Sequence, residues 1–157
     1  MTAAHCILKL GPRILTPHWV DFNRHDLFLN EPGAVRMWVG AADIITHPDY
    51  DVAAKSDNDV AIIFLPIAMT GITPVTLNEK PMVPAVGDPL DVAGWGNTVI
   101  PNTGDPIYST VLKNTTVNCT TNEKCTSEYK YQPNNITENM LCAFEEDTDT
   151  CQGDSGE

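Results

Sequence analysis

The chain is 157 residues long, 42% hydrophobic and 19% charged, which excludes a disordered protein and leaves room for one domain with a real core, or a large piece of a bigger one. Twenty-one acidic residues against nine basic ones give 9 − 21 = −12, a charge that repels nucleic acid and anionic lipid. No apolar run approaches the roughly 20 residues needed to cross a bilayer, so neither nucleic acid nor a membrane is an expected partner.

Taken in chain order, the first elements are strands. Val35 to Val39 and Val60 to Leu65 are short apolar or alternating runs, with turn signals at Asn30-Glu31-Pro32-Gly33 and at Gly71 to Pro74. Leu90 to Ala93 follows, then a loop from Pro101 to Pro106, then a run from Val111 to Val117. One short helix is predicted from about Thr121 to Lys130, opened by Thr and Asn caps. A last strand is predicted at Met140 to Phe144. Many short strands and little helix point to a sandwich or barrel.

Five cysteines, twelve prolines and N-x-Thr sequons at Asn114, Asn118 and Asn135 fit an oxidising, secretory setting. Met1 runs directly into Thr2-Ala3-Ala4-His5-Cys6, with no basic stretch and no apolar leader. Two readings stay open at this point: a cytosolic protein, or one whose front end precedes this sequence.

Three segments carry chemistry. In Thr2-Ala3-Ala4-His5-Cys6 two alanines allow tight backbone packing beside an imidazole, the side chain suited to proton transfer near neutral pH. In Asp57-Asn58-Asp59-Val60-Ala61-Ile62-Ile63 a carboxylate opens an apolar run, so Asp59 is expected to be partly buried and to need a donor, which an imidazole N–H would supply. In Cys151-Gln152-Gly153-Asp154-Ser155-Gly156 a serine stands between glycines, and the N–H groups of Gly153 and Ser155 could point at one oxygen. Each has a bland reading: a packed histidine, a strand-end cap, a surface turn. The order His5, Asp59, Ser155 excludes the subtilisin order and the α/β-hydrolase order, and Glu157 breaks the G-x-S-x-G elbow of the latter.

TAAHC, DNDVAII, the AGWG of Ala93 to Gly96, and TCQGDSG together resemble the chymotrypsin and trypsin family of serine proteases. The resemblance runs from end to end of the chain. It implies an all-β fold of two six-stranded antiparallel Greek-key barrels, with about residues 1–75 the remainder of the first and about 76–157 part of the second. The active site would lie between them. It implies a catalytic His5, Asp59 and Ser155, an oxyanion hole from Gly153 and Ser155, and a secreted endopeptidase acting on protein or peptide substrates and open to protein protease inhibitors.

By the same resemblance Asp149, two residues before Cys151, would form the floor of a pocket for Arg or Lys, with Gln152 beside it. The competing reading is a solvated acidic run, Glu145-Glu146-Asp147-Thr148-Asp149. Asp154 would form a structural ion pair with an ammonium released by proteolytic activation. Cys125 and Cys142 would form a disulfide, while Cys119 matches no family cysteine.

No cofactor or metal is expected: an EF-hand starting at Asp147 fails at Cys151 and Gln152, and no CxxC or HxxxH spacing supports zinc. The resemblance also implies barrel strands beyond both ends, and Glu157 stands where a glycine is usual. The expectation for these 157 residues by themselves is inactivity, with Asp154 lacking its partner. The alternative function is a non-catalytic protease homologue acting as a secreted binding module.

Overall fold

The computed structural model describes residues 1–7, 9–10, 13–14, 18–80, 83–99, 105–127 and 136–156. Residues 101–104 of the expected loop, 128–130 of the expected helix, the sequon residue Asn135 and Glu157 lie outside the described residues. Among the described residues nine short strands alternate with loops: β1 Lys9–Leu10, β2 Arg13–Ile14, β3 His18–Phe22, β4 Val35–Val39, β5 Ile44–Thr46, β6 Ala61–Ile63, β7 Pro89–Gly94, β8 Lys113–Thr120 and β9 Cys142–Phe144. The same residues hold one α-helix, α1, at Asn122–Ser127, and single turns of 3₁₀-helix at Ala4–Cys6 and Ala41–Asp43. The all-β expectation holds.

Every sheet pairing is antiparallel: β1 with β2, β3 with β4, β5 with β6, and a three-stranded sheet in the order β7-β8-β9. Period-two alternation puts Leu90 and Val92 of β7 and Val117 and Cys119 of β8 on their inward faces, with their neighbours turned outward. The first-half core joins Ala4, Ile7, Val39, Ile44 and Ala61, all buried, with Val20, Tyr50 and Ile63 packed against them. The small size of Ala4 and Ala61 lets the chain start lie flat on β6. Thr2 and Ala61 exchange both backbone hydrogen bonds, at 2.9 and 2.7 Å.

Four of these strands lie outside the sequence expectations; β1 and β2, of two residues each, are too short to show a pattern. His18–Phe22 carries Asp21 in mid-strand, which breaks the apolar pattern. Its partner explains it: Asp21 lies opposite Arg36 on β4, and the guanidinium donates to both carboxylate oxygens at 2.7 Å. Ile44–Thr46 is too short for a pattern and is fixed by pairing with β6. The helix begins as expected, with the Thr121 hydroxyl accepting the Lys124 N–H at 3.0 Å.

The two halves of the chain meet at several joints. His25 accepts N–H groups from Leu112 at 2.8 Å and from the Trp95 indole at 3.0 Å, while Leu27 donates to Thr110 at 2.8 Å. A second joint is formed by Asp57 with Thr137 and Asn139. The third brings the end of the described chain back to its start.

Candidate active site

The site begins with the Ala4–Cys6 turn. Ala4 is buried, which anchors the turn on the core, and His5 projects from it with 44% of its side chain exposed. The Thr2–Ala61 bridge sets this turn beside the residues that precede β6. Asp59, with 22% side-chain exposure, reaches His5 with both oxygens. Its Oδ1 accepts the His5 backbone N–H at 2.9 Å, and its Oδ2 lies 2.6 Å from Nδ1 of the ring. Two contacts from one carboxylate fix both the position and the rotation of the imidazole, and leave Nε2 as the nitrogen available for chemistry. Nearby Tyr50 has its phenol pushed up, first by burial and then by the charge of Asp59.

Ser155 comes from the other half. The chain turns sharply at Gly153, whose φ is +103°, and at Gly156, whose φ is +77°. The turn then lies across the first residues: the Thr2 hydroxyl donates to the Gly156 carbonyl at 2.8 Å, and the Cys6 thiol donates to the Ser155 carbonyl at 3.1 Å. A methyl group at Gly156 would collide with the Thr2 hydroxyl and press on Ala3 and Cys6, so glycine is demanded by space as well as by φ. His5 and Asp59 are joined directly, and the Ser155 backbone is bonded to Cys6, the residue after His5, so three distant segments meet here. No hydrogen bond joins the Ser155 hydroxyl to His5 among the described residues. Neither Gly153 nor Ser155 donates its N–H to another described residue, and both are exposed.

Asp154 is held by backbone amides. Among the described residues its carboxylate takes no cation; Oδ1 accepts the Gly96 N–H at 2.7 Å and Oδ2 the Cys151 N–H at 2.8 Å. A half-buried carboxylate needs donors, and here two backbone amides supply them. Gly96 is the residue that sequence reasoning left out. Its quoted AGWG motif was the available signal, and its reason is steric: any Cβ there would overlap the Asp154 carboxylate. A Cβ at Gly153 would likewise stand 3.0 Å from the Tyr108 ring and 3.2 Å from the Gly96 Cα. Asn97 donates its N–H to the Gln152 carbonyl at 2.9 Å and completes the seat of the turn.

A cleft of about 600 Å³ opens beside this seat, lined by Val92, Gly94, Gly96, Thr148, Asp149 and Asp154 among others. Asp149 is therefore on a cavity wall, exposed, with Oδ1 accepting the Thr150 N–H at 2.8 Å. Gln152 is exposed and, among the described residues, stands outside those walls. Cys125 of α1 and Cys142 of β9 form a disulfide with Cα atoms 6.5 Å apart. Cys119 is a buried thiol on β8. Among the described residues no cluster of three or more His, Cys, Asp or Glu could hold a metal, and no helix is long and apolar enough to cross a membrane.

Comparison with known proteins places this geometry in context. A family model described as Trypsin matches residues 1–157. The chain is 33% identical over 171 residues to tonin of Rattus norvegicus, covering 99% of this chain and 60% of that protein. It is 32% identical over 165 residues to trypsin of Sus scrofa, covering 99% of this chain and 62% of that one. Among solved structures, neuropsin, a serine protease expressed in the limbic system of mouse brain, superposes with a TM-score of 0.77 at 30% identity, covering 99% of this chain and 64% of that one. The chain thus spans about three-fifths of the length of these relatives. Mostly strand, with little helix, and matched to that family from its first residue to its last, the chain belongs to the trypsin family of serine proteases.

Proposed function

We propose that the protein carrying this chain is a serine endopeptidase in which Ser155 is the nucleophile, His5 the general base and then acid, and Asp59 the group that orients His5. The observation that carries this reading is the pair of contacts from Asp59 to His5, with the Ser155 turn bonded to the next residue, Cys6. Ser155 Oγ attacks the scissile carbonyl carbon as its proton passes to Nε2 of His5. The tetrahedral oxyanion is held by the N–H groups of Gly153 and Ser155, such a donor being worth about 3 to 4 kcal/mol of barrier. Collapse breaks the C–N bond, and His5 returns the proton to the leaving amine. Water, deprotonated by His5, then hydrolyses the acyl-serine ester and restores the enzyme.

Residues from about 1 to 75 and from about 76 to 157 are read as parts of two barrels, with this site at their joint. Asp149 is read as the selector of Arg or Lys at the residue preceding the cut, through a charge-assisted pair in the cleft it lines, with Gln152 contacting substrate nearby. Protein and peptide substrates, protein protease inhibitors and a secreted location follow from the same reading, supported by the disulfide between Cys125 and Cys142.

The test uses the full-length protein and a fluorophosphonate directed at reactive serines. Stoichiometric labelling that disappears in Ser155→Ala, with peptide cleavage reduced on the order of a million-fold, is the expected result. A correctly folded, fully processed protein that takes no label and cleaves no Arg or Lys peptide would leave the binding-module reading in its place. The specificity claim has its own check: Asp149→Ser should lose Arg and Lys substrates preferentially, while the rate of labelling by an uncharged phosphonate stays within a few-fold.

A further inference from the structure

Asp57 plays no part in the mechanism above, yet among the described residues it is the one charged side chain that is buried, at 2% exposure. An ionised carboxylate in that setting calls for a cation or a full set of donors. Among the described residues no ion pair reaches it. Its donors come largely from the far half of the chain: Oδ1 accepts the Thr137 hydroxyl at 2.5 Å and the Asn139 side-chain N–H at 3.2 Å, and Oδ2 accepts the Asn58 side-chain N–H at 3.1 Å.

Both ends of this link are braced. On the far side, the Asn122 side chain donates to the carbonyls of Thr137 at 2.8 Å and Met140 at 3.0 Å, and Asn122 opens α1, which the disulfide ties to β9. On the near side, Asp57 donates its N–H to Ala54 and accepts that of Asp51. Asn58 sits at φ +53° with its side chain bonded to the Asp49 carbonyl, and its own carbonyl takes the Val60 N–H at 2.8 Å. Asp59 lies between these two fixed residues. The backbone thus runs from Asp57 through Asn58 to Asp59, whose carboxylate holds the His5 ring.

We propose that Asp57 is a positioning residue: its link to Thr137 and Asn139 sets the Asp59–His5 pair relative to the half of the molecule that carries Ser155. The proposal rests on the catalytic reading of that site for its kinetic consequence, but not for its geometric one. Misplacing a reacting group by a fraction of an ångström to an ångström lowers turnover by about tenfold to a hundredfold without altering a distant binding pocket.

The experiment compares the full-length protein with Thr137→Val, Thr137→Ser and Asn139→Ala. Readouts are the fluorophosphonate rate at Ser155, kcat and KM for an Arg peptide, and the proton resonance of His5 Nδ1. Thr137→Val is expected to lower kcat and the labelling rate by about tenfold to a hundredfold at unchanged KM. Thr137→Ser, which keeps the hydroxyl, should restore both, and Asn139→Ala should fall between. Because Thr137 completes the Asn135 sequon, Asn135→Gln separates a lost glycan from a lost link and should behave as wild type. Folded Thr137→Val and Asn139→Ala proteins with wild-type kcat and labelling would overturn the proposal; so would an Asn135→Gln protein as slow as Thr137→Val. If Thr137→Val does not fold, the exposed Asn139 and its alanine variant decide by the same measures. If the wild-type protein takes no label, the catalytic reading fails separately and the resonance decides: a shifted His5 Nδ1 proton in Thr137→Val or Asn139→Ala sustains the link, and an unmoved one rejects it.

Discussion

Gly156 and Gly96 carry steric requirements that their neighbours impose. At Gly156 a Cβ would meet the Thr2 hydroxyl and the Cys6 sulfur, at a φ of +77° that disfavours any other residue. Gly156→Ala should therefore lift the Ser155 turn off the first residues. The expected outcome is loss of fluorophosphonate labelling by at least tenfold in a protein whose far-UV spectrum is unchanged. At the same scale, hydrogen bonds hold two carboxyls below the usual 3.8: Asp57 through Thr137 first, and Asp21 through Arg36 first. A depressed folded value means that the stability is present above the unfolded pKa and is lost as pH falls through the folded one. Unfolding midpoints should accordingly hold steady down to about pH 4 and drop below it. In the Thr137→Val variant that acid-dependent drop should shrink, measured as the difference in urea midpoint between pH 5 and pH 3.

Strands and the helix α1 are held by different means in the two halves. The first half depends on a small core in which Val39 has no exposed surface, so Val39→Ala, removing two methyl groups and leaving a void, should cost about 2 kcal/mol or more in urea unfolding. In the second half α1 is a short helix of six residues, too short to persist alone, and the Cys125–Cys142 bridge holds it to β9. A double Cys→Ser change at those positions should lower unfolding free energy by about 3 kcal/mol on the chain-entropy estimate. It should also loosen the 136–140 segment that Asn122 grips, and with it the Asp57 link. The predicted strand at Val35 to Val39 matches β4 because alternation and flanking turns agree there. β3 was illegible because Asp21 breaks its pattern, and the cross-strand partner that rescues Asp21 lies fifteen residues onward.

At the scale of the whole chain the formal charge is −12, and the cleft's lining includes Glu145, Asp147, Asp149 and Asp154 against Lys113. Cationic substrates should be drawn in and the attraction screened by salt. The expected result is that kcat/KM for an Arg or Lys peptide declines between 0.02 and 0.5 M NaCl, on the order of several-fold, while the labelling rate with an uncharged phosphonate changes little. Equal salt dependence for both reagents would count against Asp149 and its neighbours as the recognising charge.

The residue types and chain order of His5, Asp59 and Ser155, the seat of the helix caps and the strand-rich class were all readable from the amino acids, because local pattern and motif spacing are properties of the chain itself. The partnership of Asp154 with Gly96 and Cys151, the need for glycine at 96, and the link from Asp57 across 80 residues to Thr137 were not. Each depends on which backbone donor or hydroxyl happens to face a carboxylate after folding. The sequence marks Asp59 as an imidazole's partner, but the burial of Asp57 two residues earlier depends on the Thr137 and Asn139 donors that only the packed structure brings to it.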